Sequence, residues 1–254
     1  MAAPFPADRT AVVTGVGAPR GIGRVVARRL AREGWHLALL DVRADGVDEI
    51  AEELRPVTGV AGITADITSP VEVAAAFERV DAVLPPVVGL VNLAGTACPT
   101  PLLDLTLQEW DASWAVNATG SMLTTQQAAR RMAEVGVGRI VNTSSITALD
   151  GGGTFSKTAY AASKAAVVGL TKGSARELGP LGITANVLLP GPVDTDIMGG
   201  ALTDERKAGM AAGIPVGRVG QPEDIAALVA FLLQEESGYV NGASLQVDGG
   251  KLIH

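Results

Sequence analysis

Short apolar runs alternate with segments of helical periodicity along almost the entire chain. The runs predict seven strands, at residues 10–14, 36–41, 60–65, 87–92, 139–144, 183–189 and 244–247. Between them, apolar residues spaced three and four apart predict helices at 22–33, 47–54, 70–84, 107–111 continuing after a break to 134, 159–178 and 222–234. Wholly apolar strands are typical of a parallel sheet covered by helices. The pattern therefore predicts an α/β fold, a doubly wound parallel sheet of about seven strands with helices on both faces.

No feature of the sequence divides the chain into separate domains. The 254 residues contain no Ser/Pro-rich linker and no block of like charge, so we expect a single domain over residues 1–254. Ligands of such sheets bind beyond the carboxyl ends of the strands. The segment 196–215 is rich in Gly, Ala and Met, and we expect it to form a lid over a substrate site at that edge.

The charge and the scarcity of cysteine and histidine exclude several classes of function. The formal net charge of −7 argues against a nucleic-acid partner, which would require a basic surface. Cys98 is the only cysteine, and His36 and His254 are the only histidines. We therefore expect no intramolecular disulfide and no metal site. Zinc-dependent alcohol oxidation and Ser-His-Asp hydrolysis are excluded on the same grounds.

No segment has the pattern of a targeting sequence or a membrane span. Residues 1–8 lack the basic start and the apolar core of a secretory signal. The longest uncharged run, residues 82–103, contains Pro85, Pro86, Pro99 and Pro101, and we interpret it as a strand followed by a loop. We expect a cytoplasmic protein with no membrane partner.

A glycine-rich turn, residues 14–23, follows the first predicted strand and opens the first predicted helix. Glycines let a backbone turn sharply and approach a pyrophosphate closely. The start of the helix supplies free N–H groups and the positive end of the helix dipole. A glycine-rich turn alone is a weak signal, but its position between strand and helix favours a dinucleotide site.

Acidic residues close the second and third predicted strands. Asp41 is placed to bind the ribose hydroxyls of NAD and to repel the extra phosphate of NADP. Arg20, beside the glycine-rich turn, could instead attract that phosphate, so NADP remains the less favoured alternative. Asp66 could reach the adenine, and a helix cap or a turn is an equally good interpretation of it.

Tyr160 and Lys164 are four residues apart at the start of a predicted helix, so both project from one face. A free phenol has a pKa of about 10, and a neighbouring cation lowers it. We therefore expect Tyr160 to exchange a proton with an alcohol or a carbonyl near neutral pH. In isolation, the pair could also be an ordinary tyrosine and lysine on a helix surface.

Together, Tyr160 and Lys164, the glycine-rich turn and residues 92–95 (Asn-Leu-Ala-Gly) resemble the short-chain dehydrogenase/reductase family. The resemblance runs from Thr10 to Gly250 and includes Asn117, the pair 144–145, residues 190–195, 218–224 and 247–250. It implies a Rossmann-like fold and a nicotinamide cofactor. The implied cofactor-binding residues are Gly15, Gly17, Arg20, Gly21, Ile22, Gly23, Asp41, Asp66, Ile67, Asn92, Ala94, Gly95, Tyr160, Lys164, Pro190, Gly191, Val193 and Thr195.

The resemblance also implies a catalytic set of Asn117, Ser145, Tyr160 and Lys164. Tyr160 would be the general acid/base, and Lys164 would lower its pKa and hold the nicotinamide ribose. Ser145 would hydrogen-bond the substrate oxygen, with Ser144 as the competing candidate, and Asn117 would hold a water in a proton relay. The family's homotetramer is implied too, with the helices after Leu107 and Ala159 at an interface.

The chain departs from the family pattern in three places. Five residues separate Gly15 from Gly21, where three are usual, and we expect the extra pair 18–19 to bulge outward. Leu93 stands where a second asparagine is common. The spacing from Ser145 to Tyr160 is 15 residues instead of 13, and the extra length falls in residues 149–155, which we expect at the mouth of the substrate pocket.

The expected pocket residues favour a neutral secondary alcohol or ketone as the substrate, because they include no Arg or Lys to bind a carboxylate. They are Thr96, Ala97, Thr147, Ala148, Leu149, Phe155, Val193 and Met198. The alternative is an NADPH-dependent reductase of 3-oxoacyl thioesters. Relatives that use an acyl carrier protein often have a basic residue where Leu181 stands, which disfavours that carrier but not a coenzyme A thioester. A nucleotide-binding regulator without turnover is a third hypothesis.

Overall fold

In the computed structural model, residues 3–153, 156–198, 200 and 202–253 are described, apart from the Met198 side chain. Within these residues, seven strands form one sheet in the order β3-β2-β1-β4-β5-β6-β7. The strands are β1 (Thr10–Thr14), β2 (His36–Asp41), β3 (Val60–Thr64), β4 (Val87–Asn92), β5 (Gly138–Thr143), β6 (Ile183–Pro190) and β7 (Ser244–Val247). Each neighbouring pair is parallel, which confirms the predicted sheet.

Helices cover both faces of this sheet, as predicted. They are α1 (Ile22–Arg32), α2 (Ala44–Leu54), α3 (Pro70–Val83), α4 (Leu107–Trp114), α5 (Ser121–Val135), α6 (Thr147–Asp150), α7 (Thr158–Leu178), α8 (Asp204–Ala211) and α9 (Pro222–Leu232). Apolar side chains of α1, α2 and α9 form one core cluster with the sheet, and those of α3 and α5 form a second. None of the helices in the described ranges is long and apolar enough to cross a membrane.

The strand order reverses direction between β1 and β4, which lie side by side although two strands separate them in sequence. The chain therefore leaves the carboxyl ends of these strands toward opposite sides and opens a crevice between them. Buried Val, Leu, Ile and Ala dominate the core beneath it, as the aromatic content of 4% predicts. Trp35 and Phe77 are the large aromatic exceptions.

The break predicted within residues 107–134 is a π-helical segment, Ala115–Gly120, between α4 and α5. A capping box begins α4, because Thr106 accepts a hydrogen bond from the Glu109 N–H at 3.2 Å and Glu109 accepts one from the Thr106 N–H at 3.0 Å. π-Helical turns are often found at functional sites. This one holds Asn117.

The structure differs from the sequence-based prediction mainly in short elements. Helix α2 begins at Ala44 rather than at residue 47, and α6 and α8 were not predicted. Helix α6 follows the Ser144–Ser145 pair, which comes directly after β5, and α8 lies inside the expected lid segment. Both are one or two turns long, so their sequences contain too few residues for a periodic pattern to stand out.

Candidate active site

Close backbone approaches explain the glycines of the loop between β1 and α1. Gly15 has a φ of +77°, and a Cβ there would lie 2.6 Å from the backbone nitrogen of Ala94. A Cβ on Gly23 would lie 2.3 Å from the Gly15 oxygen. Helix α1 begins after Gly21 without a side-chain cap, so its first N–H groups remain available to an anionic ligand.

The extra pair in this loop, residues 18–19, forms a turn in which Ala18 lines a cavity beside the loop. The Gly21 N–H donates a hydrogen bond of 3.0 Å to the Ala18 oxygen, and Pro19 is exposed at the tip. The turn leaves Gly15, Gly21 and the start of α1 facing the crevice. The insertion is therefore accommodated without closing the site.

Asp41, at the end of β2, is hydrogen-bonded to the same loop. Its carboxylate accepts the Gly17 N–H at 2.8 Å and the Arg43 N–H at 3.0 Å. A Cβ on Gly17 would lie 2.6 Å from the Asp41 carboxylate, so only glycine fits at that position. Asp41 thus fixes the loop while one edge of its carboxylate lines the cavity beside it.

A cavity of about 480 Å³ lies beside the glycine-rich loop, and we call it the loop cavity. Its walls include ten of the residues predicted to bind the cofactor: Gly15, Gly21, Ile22, Gly23, Asp41, Asp66, Ile67, Ala94, Gly95 and Thr195. One end of this cavity has free helix N–H groups and small side chains, and the other has acidic side chains. This arrangement fits a dinucleotide. Arg43, which the sequence reading did not select, lines this cavity as well.

Arg20 lies away from the walls of the loop cavity. Its guanidinium donates a hydrogen bond of 2.6 Å to Asp194, which follows β6, and lies 3.7 Å from Asp196. Lys207 of α8 binds the other oxygen of Asp194 at 2.7 Å. Arg20 therefore connects the glycine-rich loop to the expected lid, and its positive charge is already paired with carboxylates.

Asn92, also predicted to contact the cofactor, is buried and joins three elements of the fold. Its side chain donates to Asn142 of β5 at 2.8 Å and accepts from Thr124 of α5 at 2.8 Å. The N–H groups of Leu93 and Ala94 are bound by the Thr14 hydroxyl, each at 3.1 Å. Thr14 thus holds the segment that faces the loop cavity without the second asparagine of the family pattern.

A second cavity, also of about 480 Å³, contains the predicted proton-transfer residues, and we call it the tyrosine cavity. Ser145, Tyr160 and Lys164 line it, as do Pro190 at the end of β6 and three residues after that strand, Gly191, Val193 and Thr195. The two cavities adjoin, because five residues line both: Ile22, Leu93, Gly95, Thr195 and Ile197. A ligand that fills the loop cavity therefore borders any ligand in the tyrosine cavity.

The two neighbouring serines have different partners. The Ser144 hydroxyl is buried and donates to the Lys164 backbone oxygen at 2.7 Å. The Ser145 hydroxyl is hydrogen-bonded to Tyr160 and lies 3.0 Å from the Thr147 hydroxyl. Ser145 is thus the serine beside the tyrosine, while Ser144 ties α7 to the end of β5.

The protonation of Tyr160 differs from the expectation. Burial raises the pKa of Tyr160 to about 12, although its hydrogen bond to Ser145 acts in the opposite direction. The sequence predicted a pKa below that of a free phenol. The Lys164 ammonium lies 5.7 Å from the centre of the tyrosine ring, so burial outweighs the attraction between the two groups. Tyr160 therefore keeps its proton at neutral pH.

Lys164 is almost fully buried at the base of the tyrosine cavity. Its ammonium donates to the Thr143 backbone oxygen at 2.9 Å. Burial lowers the pKa of Lys164 to about 8, because the charged form loses hydration. A Cβ on Gly95 would lie 3.3 Å from this ammonium, so the glycine leaves space for it at the boundary of the two cavities.

Asn117 lies in the π-helical segment, and both the oxygen and the nitrogen of its side-chain amide are hydrogen-bonded. Its amide oxygen accepts the Thr96 N–H at 3.0 Å, and its amide nitrogen donates to the Thr96 oxygen and to the Ser163 hydroxyl, both at 3.0 Å. The amide does not line either cavity. It joins α7 to the segment after β4, and its role in a proton relay stays a prediction.

The walls of the tyrosine cavity include two charged residues that the sequence reading missed, Asp150 of α6 and Lys251 beyond β7. The expectation of a pocket without Arg or Lys other than Lys164 is therefore wrong. The rule that ligands bind at carboxyl strand ends applies to β7 too and would have selected Lys251. Of the expected pocket residues, Ala97, Thr147 and Val193 line this cavity, and Thr96 lines the loop cavity.

Phe155 and the side chain of Met198, which were also expected in the pocket, lie outside the described residues. Among the described residues, no group of three or more His, Cys, Asp or Glu side chains could hold a metal ion. Cys98 is buried beside the segment after β4. The chemistry of the site therefore rests on hydroxyl groups, amines and carboxylates.

Sequence and structure comparisons match nearly the whole chain. A family model with the description "Enoyl-(Acyl carrier protein) reductase" matches residues 15–251. A short-chain type dehydrogenase/reductase of Sinorhizobium fredii is 38% identical over 97% of this chain and 98% of its own length. The (3R)-3-hydroxyacyl-CoA dehydrogenase of Rattus norvegicus is 39% identical over 94% of this chain and 95% of its own length. The crystal structure of a short-chain type dehydrogenase/reductase from Mycobacterium marinum matches with a TM-score of 0.89 and 31% identity, covering 98% of this chain and 96% of that one.

Proposed function

The chain belongs to the short-chain dehydrogenase/reductase family of oxidoreductases, and we propose that it transfers hydride between NAD(H) and a secondary alcohol or its ketone. One observation carries the proposal: Ser145, Tyr160 and Lys164 line a cavity that adjoins a second cavity suited to a dinucleotide. A proton-exchanging group thus borders the position where a redox cofactor would be bound.

Three side chains of the tyrosine cavity have different roles in the proposed reaction. A nicotinamide cofactor in the loop cavity supplies the hydride or accepts it. Tyr160 donates its proton to the carbonyl oxygen in reduction; in oxidation it must first lose that proton, and its phenolate then takes the proton of the alcohol. Ser145 hydrogen-bonds the same oxygen as its charge develops. Lys164 supports the phenolate of Tyr160 electrostatically whenever the tyrosine has given up its proton.

The preference for NAD rests on Asp41. Its carboxylate lines the loop cavity and would repel a phosphate on the ribose, while accepting hydrogen bonds from ribose hydroxyls. Arg20, the residue that most favoured NADP in the sequence, is paired with Asp194 at 2.6 Å. Arg43 lines the cavity beside Asp41 and is the remaining cation that favours NADP.

A second candidate is an NADPH-dependent reductase of 3-oxoacyl thioesters. It is favoured by the similarity to the rat (3R)-3-hydroxyacyl-CoA dehydrogenase and by Arg43. Leu181 is exposed where relatives that use an acyl carrier protein often have a basic residue. A coenzyme A thioester is therefore the preferred form of this alternative.

The proposed function is tested by a turnover screen of the purified protein with NAD and, separately, NADP. The panel contains secondary alcohols, diols, sugar alcohols and hydroxyacyl thioesters. Tyr160→Phe should reduce turnover by at least about a hundredfold and retain nucleotide binding, because it removes only the hydroxyl that exchanges the proton. Tyr239→Phe is the matched control, since the chain's other tyrosine is fully exposed. Nucleotide binding without turnover of any member would support a regulator instead.

A further inference from the structure

Lys251 supplies a positive charge to the tyrosine cavity that the proposed proton transfer does not use. Its side chain lines the cavity together with Ser145 and Tyr160. Within the described part of the chain, its ammonium has no ion-pair or hydrogen-bond partner. Lys207 on the neighbouring lid, by contrast, binds Asp194 at 2.7 Å. An unpaired ammonium at a cavity wall is open to a ligand of opposite charge.

The backbone on both sides of Lys251 is fixed. The carboxylate of Asp248 accepts the Gly250 N–H at 2.9 Å and the Leu252 N–H at 2.8 Å. The side chain of Leu252 packs against the apolar cluster that α7 and β6 share. The backbone at Lys251 is therefore part of a tight turn with a fixed position. Its side chain does not extend from a free chain end.

The turn also contacts the lid segment. The Val216 N–H donates to the Gly249 oxygen at 3.2 Å, and a Cβ on Gly213 would lie 3.9 Å from the Lys251 ammonium. Met210 of α8 lines the same cavity. The ammonium is thus located between the lid and the cavity, on the wall formed beyond β7.

The other charged groups of this cavity leave the Lys251 charge available. Asp150 accepts the Gly152 N–H at 2.8 Å, and no ion pair joins it to Lys251 among the described residues. Lys164 is buried and donates to the Thr143 oxygen. Lys164 and Lys251 are the cations that line this cavity, and Lys251 is the one whose ammonium makes no hydrogen bond within the described residues.

Building on the proposed function, we propose that the substrate is an alcohol or ketone that carries a carboxylate, and that Lys251 binds this carboxylate. Tyr160 and Ser145 then act on the oxygen of the reacting carbon: the carbon would exchange a hydride with the nicotinamide cofactor, and its oxygen exchanges a proton with Tyr160. The carboxylate itself is unchanged by the reaction. Hydrogen bonds between charged groups contribute more than neutral ones, so a neutral analogue of the same shape should bind about tenfold more weakly.

A binding experiment tests this assignment without turnover. The protein is saturated with NADH or NADPH, whichever binds, and titrated calorimetrically with cyclohexanecarboxylate and with its neutral twin, cyclohexanecarboxamide. We expect the carboxylate to bind at least about tenfold more tightly, Lys251→Met to abolish this preference, and Lys251→Arg to restore much of it. Arg79→Met, which removes an exposed charge that lines neither cavity, should keep the preference. Equal binding of the two ligands by the wild type would overturn the inference.

Turnover of matched pairs separates this inference from the proposed function. Hydroxycyclohexanecarboxylates and their methyl esters are assayed with both nucleotides in the wild type and in Lys251→Met. We expect the wild type to prefer the acids through a lower KM and the variant to lose that preference. Turnover without any preference for the acids would refute the role of Lys251 and leave the oxidoreductase proposal intact. Failure to turn over any alcohol would contradict the proposed function, while the binding preference would still decide the role of Lys251.

Discussion

The carboxylate of Asp41 accepts a hydrogen bond from the backbone N–H of Gly17 at 2.8 Å, so the end of β2 holds the glycine-rich loop in place. The same carboxylate lines the loop cavity. We propose two roles for this side chain: it holds the loop that would bind the phosphates, and its charge would oppose a phosphate on the ribose.

We predict that Asp41→Asn raises the ratio of kcat/KM for NADP over that for NAD by at least about tenfold, because the repelling charge is removed. The loop should also be held less firmly, because the Gly17 N–H loses a charged acceptor. We expect the free energy of unfolding to fall by roughly 1.5–3 kcal/mol at most. Steady-state kinetics with both nucleotides and urea unfolding measure the two effects. Asp45→Asn, an exposed site on α2, is the control, and an equal change in both variants would argue against Asp41 as the selective residue.

Ser144→Ala and Ser145→Ala should have opposite signatures. Ser145 is hydrogen-bonded to Tyr160, so its loss should lower kcat by about a hundredfold to a thousandfold with little change in stability. Ser144 donates to the Lys164 backbone oxygen at 2.7 Å, so its loss should cost about 1 kcal/mol of unfolding free energy. Kinetics and urea unfolding of both variants test this assignment. A larger loss of kcat in Ser144→Ala would transfer the catalytic role to Ser144.

The buried amine of Lys164 predicts a pH-dependent stability. Its pKa is about 8 in the folded protein, whereas a lysine in an unfolded chain titrates near 10.4. Between these values the unfolded chain binds more protons, so stability rises with pH; below pH 8 the folded protein bears the full cost of the buried charge. Lys164→Met removes this dependence.

We therefore expect the difference in unfolding free energy between Lys164→Met and the wild type to be constant below pH 8. It should change in favour of the wild type from about pH 8 to 10.5. Urea unfolding across pH 6 to 10.5 measures it, and effects of other groups cancel because both proteins share them. A difference that is independent of pH would mean that Lys164 titrates normally.

Asp194 links the glycine-rich loop to the lid, since it binds Arg20 at 2.6 Å and Lys207 at 2.7 Å. Hydrogen bonds from Lys207 and then from Arg20 hold the pKa of Asp194 below its usual range. Asp194→Asn should raise the substrate KM by about fivefold or more, because the lid loses a charged contact on each side. Asp204→Asn, an exposed charge at the start of α8, is the control. Identical KM values in both variants would remove Asp194 from the closure of the site.

A homotetramer, which the family resemblance implies, is our proposal for the assembly. Gly169 lies on the exposed side of α7, and nothing described lies within 4 Å of a Cβ at that position. Gly169→Arg should therefore leave the protomer folded but reduce the assembly to dimers or monomers, as measured by light scattering after gel filtration. Gly209→Arg on α8 has equally open surroundings and is the control. An unchanged mass for Gly169→Arg would exclude α7 from the interface.

The fold was predictable because its signals are local. The apolar runs and the Gly and Pro residues that bound them locate each strand to within one residue. The π-helical turn at Asn117 was visible only as a break, because apolar spacing does not distinguish one hydrogen-bonding pattern from another. Tyr160 and Lys164 were predicted from their resemblance to the tyrosine–lysine pair of the family, and both line the tyrosine cavity in the structure.

The features that the sequence did not predict depend on contacts between residues far apart in the chain and on burial. Arg20 and Asp194 are 174 positions apart, and no local pattern pairs them. The effect of Lys164 on Tyr160 was inferred from their spacing, but the cost of burial that raises the tyrosine pKa comes from the surrounding fold. Lys251 lies beyond β7, and its position at the tyrosine cavity depends on the fold and not on any local pattern in the sequence.

The wall shared by the two cavities also has a consequence for the order of events in a catalytic cycle. Ile22, Gly95 and Thr195 belong to both cavities, so a nucleotide in the loop cavity would complete one side of the tyrosine cavity. The second ligand would then find its full binding surface only after the first has arrived. We therefore expect an ordered mechanism in which the nucleotide binds first and leaves last. In product-inhibition experiments, only the oxidised and the reduced nucleotide should compete with each other.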